Sequence, residues 1–93
     1  MSVTIRVPTT LRTLTSGDAE VMVEPGTVAE VLDALEQAHP GFRERIIDDD
    51  GALRRFVNVF VSDDDVRFME GLQTPVLDGE TLAIVPAVAG GIA

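Results

Sequence analysis

Cysteine is absent from the 93 residues, and with it go disulfides, thiolate metal sites, iron–sulfur clusters and thiol nucleophiles. Lysine is absent too. All seven basic residues are arginine, so no side chain can accept an isopeptide bond, and a lysine-dependent phosphate-binding loop is impossible. Positive charge is scarce, with 7 basic against 16 acidic residues, and a net charge of −9 would repel a phosphate backbone. That excludes a nucleic-acid binder and points to a protein partner with a positive surface. No apolar run approaches the roughly 20 residues of a membrane span. The opening MSVTIRVP has neither a basic segment leading into an apolar stretch nor a small-residue cleavage site, so a cytoplasmic location is expected.

Residues suited to chemistry are equally sparse. The one histidine, His39, stands before Pro40 at the end of a helical pattern and reads as a C-terminal capping residue favoured by the helix dipole. A general base needs an orienting partner and a nucleophile, and neither accompanies it. The triplets Asp48 to Asp50 and Asp63 to Asp65 lack the alternating ligands, central glycine and closing glutamate of a calcium loop and read as solvated turns. No catalytic residue, metal site or cofactor is expected in the body of the chain.

What is present is a regular pattern of short apolar runs, 45% of the chain in all, enough for one globular domain. VTIRV (Val3 to Val7) alternates with β-branched residues on one face, so Val3, Ile5 and Val7 should face a core, and Pro8 ends the strand. After the turn-like TSGD, a second strand follows with Ala19, Val21 and Val23 on one face, closed by Pro25-Gly26. The two suggest a hairpin. Thr27 with Glu30 three residues on forms a capping box. The helix it opens has an apolar stripe of Val28, Val31, Leu32, Leu35 and Ala38, with Glu30, Asp33, Glu36 and Gln37 toward water, and stops at Pro40-Gly41. A loose helical turn is expected from Phe42 to Ile47.

FVNVFV alternates with large groups on both faces: Val57, Val59 and Val61 on one, Phe56, Asn58 and Phe60 on the other. Such a strand is either central or part of a binding surface. Ser62 to Asp65 reads as a turn, Val66 to Phe68 as a short strand, Leu72 to Val76 as irregular, and Leu77 to Glu80 as a turn. A last strand, TLAIVP, ends at Pro86.

A hairpin, a crossover helix and further strands, with one amphipathic helix across one face of a mixed sheet, is an α+β fold of the β-grasp, or ubiquitin-like, kind. A ferredoxin-like plait is the competitor, but it wants a second good helix. The open face of the sheet should be lined by Asn58, Phe60, Ala83 and Val85. Residues 1–86 are expected to form the β-grasp domain and 87–93 a tail containing Gly90-Gly91. That tail, AVAGGIA, is small-residued; taken alone it reads equally as a frayed terminus.

VTIRVPTTLR, FVNVFV and above all LDGETLAIVPAVAGG resemble the ubiquitin-like sulfur-carrier family, the ThiS/MoaD type, and within it the carriers that feed a cysteine synthase. The resemblance spans the whole chain. It implies a protein cosubstrate, not an enzyme. The Gly91 carboxylate would be adenylated by an E1-like (MoeB/ThiF-type) adenylyltransferase, and sulfide or a persulfide would displace AMP to leave a thiocarboxylate. Val88, Ala89 and Gly90 would be the residues gripped by a narrow channel, where a glycine's lack of a β-carbon matters. The recipient would be a pyridoxal-phosphate cysteine synthase, a thiazole or thiosugar synthase, or the molybdopterin pathway.

The chain departs from the family's usual ending by continuing as Ile92-Ala93, so Gly91 has no free carboxylate. The resemblance implies a precursor trimmed after Gly91 by a JAMM-type metallopeptidase. Phe60 and Val85 on the open face are candidates for docking on the activating enzyme, with packing under a loop such as Phe68 to Val76 as the other reading. A ubiquitin-like interaction or modifier module remains the alternative function.

Overall fold

β-branched residues at every second position leave the backbone of the first strand little choice but an extended, half-buried form. β1 (Val3–Arg6) buries Val3 and Ile5 completely, and Val7 follows them into the core. The computed structural model describes residues 2–55 and 57–86. Its elements after β1 are β2 (Glu20–Val23), β3 (Gly26–Thr27), α1 (Val28–Ala38), α2 (Arg43–Ile46), β4 (Val57–Val61), β5 (Asp64–Asp65), β6 (Pro75–Val76) and β7 (Thr81–Pro86).

Five strands form one mixed sheet in the order β2-β1-β7-β4-β5, and β3 pairs with β6 in a small second sheet. β1 runs antiparallel to β2, as the hairpin reading requires, but the connection is a folded segment rather than a simple turn. Thr9–Thr15 form a 3-10 helix that tucks Leu11 and Thr15 inside and ends on Ser16 and Gly17, both at positive φ. β1 also runs parallel to β7, with Ile5 opposite Leu82, and this parallel pair needs the crossover that α1 supplies. β7 is antiparallel to β4, which places β4 inside the sheet rather than at its edge.

The helix begins where the capping box is expected. The Glu30 amide donates to Thr27 Oγ1 at 3.2 Å and the Thr27 amide donates to Glu30 Oε1 at 2.9 Å. Val28, Val31, Leu32 and Leu35 are buried against the sheet, joined by Phe42 and Ile46 from the following turn and by Val57, Val59, Val61, Leu82 and Ile84 from the strands. This is the β-grasp arrangement, one main helix laid across one face of a mixed sheet.

Five local expectations change. Ala38 is exposed, because the helix's last turn runs past the core before His39 caps it, its backbone N–H donating a hydrogen bond to the Leu35 carbonyl. Glu36 does not simply face water. Its carboxylate accepts from the amides of Arg43 (2.7 Å) and Gly41 (3.2 Å), tying the helix end to the start of α2 and holding its pKa below the usual carboxylate range. Val66–Phe68 is a 3-10 turn rather than a strand, capped by the Asp65 carboxylate on the Arg67 amide, with Val66 buried. The turn at Ser62–Asp65 is shorter than expected: Ser62 and Asp63 adopt positive φ, as a two-residue hairpin demands, and Asp64–Asp65 already form β5. The stretch Leu72 to Val76 is also less irregular than expected, containing a 3-10 turn at Gly71–Gln73 and strand β6.

Candidate functional site

Alternation on three adjacent strands builds the open face. With Val57, Val59 and Val61 inward on β4, Asn58 and Phe60 point outward; with Leu82 and Ile84 inward on β7, Ala83 and Val85 point outward. The register brings these together, since Asn58 lies opposite Val85 and Phe60 opposite Ala83. Thr4 and Arg6 continue the same face on β1, opposite Met22 and Glu20 of β2, and Arg6 is also the partner of Ala83. The outward lining expected from sequence is therefore assembled as one surface, with Val85 at 43% and Met22 at 65% exposure.

Two open troughs run along this face. One, of about 470 Å³, lies where β7 ends; Arg6, Pro8, Arg12, Glu20, Val85 and Pro86 are among its walls. The other, of about 510 Å³, lies toward the opposite end of the sheet and takes in Arg6, Glu20, Phe60, Asp63 and Glu80. They share Arg6, Glu20 and Ala83, so they are two ends of one depression. Phe60 borders it and is half-buried by its strand neighbours.

Several side chains in or beside the depression are fixed by hydrogen bonds. Arg12 Nε donates to the Val7 carbonyl at 3.1 Å, and Arg67 donates to Asn58 Oδ1 at 2.7 Å and to the Arg54 carbonyl. At the far end, Glu80 accepts from Ser62 Oγ (3.0 Å) and from the Leu77 amide (2.8 Å). The Arg6 guanidinium makes no hydrogen bond or ion pair among the described residues, although Glu20 is its cross-strand neighbour.

The last described residue of β7, Pro86, stands opposite Val57 at the rim of the first trough. Val88, Ala89, Gly90, Gly91, Ile92 and Ala93 lie outside the described residues, as does Phe56. What the fold establishes is where β7 ends: inside the sheet, beside the outward face carrying Phe60 and Val85.

The other chemistry-bearing residues lie elsewhere. His39 caps α1, the helix on the opposite side of the sheet. The acidic triplets act as local structure: Asp48 Oδ1 accepts from the amides of Asp50 and Ala52, and Asp65 caps the turn after it. Among the described residues no cluster of three His, Cys, Asp or Glu side chains is arranged to hold a metal. No described helix is long and apolar enough to cross a membrane. Sequence reasoning missed Arg6, Arg12 and Glu20 as parts of the open face. Arg6 was readable from the polar positions of VTIRV, whereas Arg12 comes into place only through the 3-10 segment.

The ThiS family model matches residues 5–91, a stretch that runs from the first strand through the second glycine of the tail. The sulfur carrier protein CysO of Mycobacterium tuberculosis is 45% identical over 93 residues, covering 98% of this chain and 100% of that protein. Among solved structures, a BexX/CysO complex from Amycolatopsis orientalis contains a chain that superposes with a TM-score of 0.90 at 48% identity, covering 96% of this chain and 99% of that one. SAMP1, from Haloferax volcanii, gives a TM-score of 0.80 at 31% identity, over 98% of this chain and 100% of that one. The pattern of strands and these near full-length matches lead to one assignment: the chain belongs to the ThiS family and is a ubiquitin-like sulfur carrier of the CysO type.

Proposed function

We propose that this protein carries sulfur as a thiocarboxylate on Gly91, formed after the residues that follow Gly91 have been removed. The observation that carries the reading is that the family match ends at Gly91 itself, two residues before the end of the sequence. In the first step the Gly91 carboxylate oxygen attacks the α-phosphorus of ATP, held by an E1-like enzyme of the MoeB/ThiF type, and pyrophosphate leaves. Hydrosulfide then adds to the acyl carbon and AMP departs with the C–O electron pair, leaving the thiocarboxylate. A glycine acyl carbon has no β-carbon to obstruct either attack, and Gly90 lets the chain thread a narrow channel. Catalysis belongs to the partners; this chain supplies the carboxyl group and the surface that presents it.

A JAMM-type metallopeptidase is the proposed trimming enzyme, cutting the Gly91–Ile92 bond. The sulfur acceptor is a biosynthetic enzyme. The relative named CysO favours one that makes cysteine, and the complex of another CysO with BexX supports docking of this fold on a separate protein. Phe60 and Val85 are the proposed apolar contacts on that docking face.

Intact-mass spectrometry tests the reading. Protein ending at Gly91, incubated with the adenylating enzyme of the same organism, ATP and sulfide, should gain the mass difference between oxygen and sulfur, and protein continuing to Ala93 should not. No adenylate and no thiocarboxylate on the Gly91 form would sink the idea. The likeness to SAMP1, a small archaeal modifier protein, favours a second reading in which Gly91 is joined to a lysine of another protein. A stable isopeptide adduct on a partner, appearing without any thiocarboxylate, would select it.

A further inference from the structure

The seven arginines are not spread evenly over an otherwise acidic surface. Arg43 pairs with Asp33 at 2.8 Å beside the helix, with Arg45 exposed on the same short α2, and Arg54 Nε donates to the Glu44 carbonyl, with Arg55 exposed next to it. Three others gather on the open face near the tail's exit. Arg6 stands at its centre, Arg12 is held at the rim by the Val7 carbonyl, and Arg67 is held by Asn58, the cross-strand neighbour of Val85. The trough at the exit therefore has two arginines, Arg6 and Arg12, against one carboxylate, Glu20. The trough at the far end has Arg6 against three carboxylates: Glu20, Asp63 and Glu80. Asp65, opposite Phe60 of the far-end trough, adds a further carboxylate, with one oxygen already accepting from the Arg67 amide.

We infer that this sign reversal is a recognition device: the surface that receives the tail is acidic around the mouth of its channel and basic where it meets the far end of the open face. The inference rests on the carrier reading, because it concerns the protein that takes the tail. Net charge alone argues for a partner that is basic throughout. Beyond a Debye length of about 8–10 Å, however, salt removes most of the field of the whole molecule. At contact the local sign decides, and a uniformly basic surface would set like charge against Arg6 and Arg12, which costs affinity and suppresses wrong pairings. A two-signed face also fixes direction. The domain can lie on its partner with complementary charges matched in one orientation, and that orientation points the end of β7 into the channel.

Arg6 is the residue to test, because among the described residues its guanidinium makes no bond that its loss would break. The chain ending at Gly91 would be titrated calorimetrically against the MoeB/ThiF-type adenylating enzyme of the same organism at low and moderate salt, with folding checked by thermal melts. Arg6→Glu should weaken binding by about tenfold or more at low salt, and Arg6→Gln by about threefold, both effects shrinking as salt rises. Asp63→Asn, which keeps a residue tolerant of positive φ, should weaken binding slightly, and Glu44→Arg on α2 should leave it unchanged. Equal or tighter binding by Arg6→Glu overturns the inference, as does an effect on the KM for ATP with none on protein affinity. If the Gly91 form itself neither binds nor is adenylated, the carrier reading falls and this inference with it. A failure confined to the Arg6 variants leaves the carrier reading standing.

Discussion

Val59 and Ile84 face one side of the sheet at 0% and 2% exposure, while their chain neighbours Phe60 and Val85 face the other, the latter at 43%. The same two strands thus supply a sealed surface and an open one, and large apolar residues stand on both. What distinguishes them is the helix. α1 lies over Val59 and Ile84, and no described element covers Phe60 and Val85 in the same way. An apolar side chain on the inner face is held by packing on every side, so it contributes to stability. One on the outer face keeps much of its surface in water, and its burial is left for an encounter with another protein.

The largest effect expected from breaking this contrast lies on the inner face. Leu82→Ala removes a fully buried side chain between β1 and β4 and should cost about 2–5 kcal/mol in denaturant unfolding. Its outward counterpart, Phe60→Ala, should lose less stability yet weaken binding to the adenylating enzyme by about 1–2 kcal/mol, read by calorimetry. If Phe60→Ala destabilised the fold as much as Leu82→Ala with no change in affinity, the two faces would not be functionally distinct. The hold of the helix on the inner face can be sharpened by Thr27→Ala, which deletes the acceptor for the Glu30 amide and should cost about 1 kcal/mol.

The smallest effect belongs to Glu36, at the other end of the helix. Amide hydrogen bonds, the strongest from Arg43 and the next from Gly41, lower its folded-state pKa. A depressed carboxylate pKa means that the stabilisation is present above the unfolded-state value and fades as pH falls through the folded one. Glu36→Gln should therefore lower the melting temperature slightly near neutral pH, and the gap to the parent should close in acid. A gap that persists below the carboxylate range would assign the role of Glu36 to shape rather than charge.

Legibility in the sequence followed the range of the interaction. The Thr27–Glu30 box spans three residues, and its two hydrogen bonds form as expected. Val3, Ile5, Val57, Val59, Val61, Leu82 and Ile84 were readable because a strand's two-residue period states which face is apolar. Val66 was misread with its neighbours as a strand, since one buried valine gives the same apolar signal in a 3-10 turn. Ala38 kept the helical period but not the burial, because where the core ends is not written in the period. The acidic runs looked like solvated loops, and the work of Asp48 and Asp65 in accepting turn amides was hidden in them.

For the site, the sequence by itself supplied the tail motif, the apolar faces of β4 and β7, and the absence of cysteine and lysine. These are local or compositional properties, settled before any strand meets another. Only the tertiary structure decided that β7 lies between β1 and β4. That pairing sets Ala83 between Arg6 and Phe60 and Val85 beside Asn58, the anchor of Arg67, while the 3-10 segment brings Arg12 to the end of β7 and Asp63 and Glu80 stand at the other end. The reason is physical. Alternation tells each residue which way to face, but which charges become neighbours depends on strand order and register, and those are chosen by the whole core closing at once.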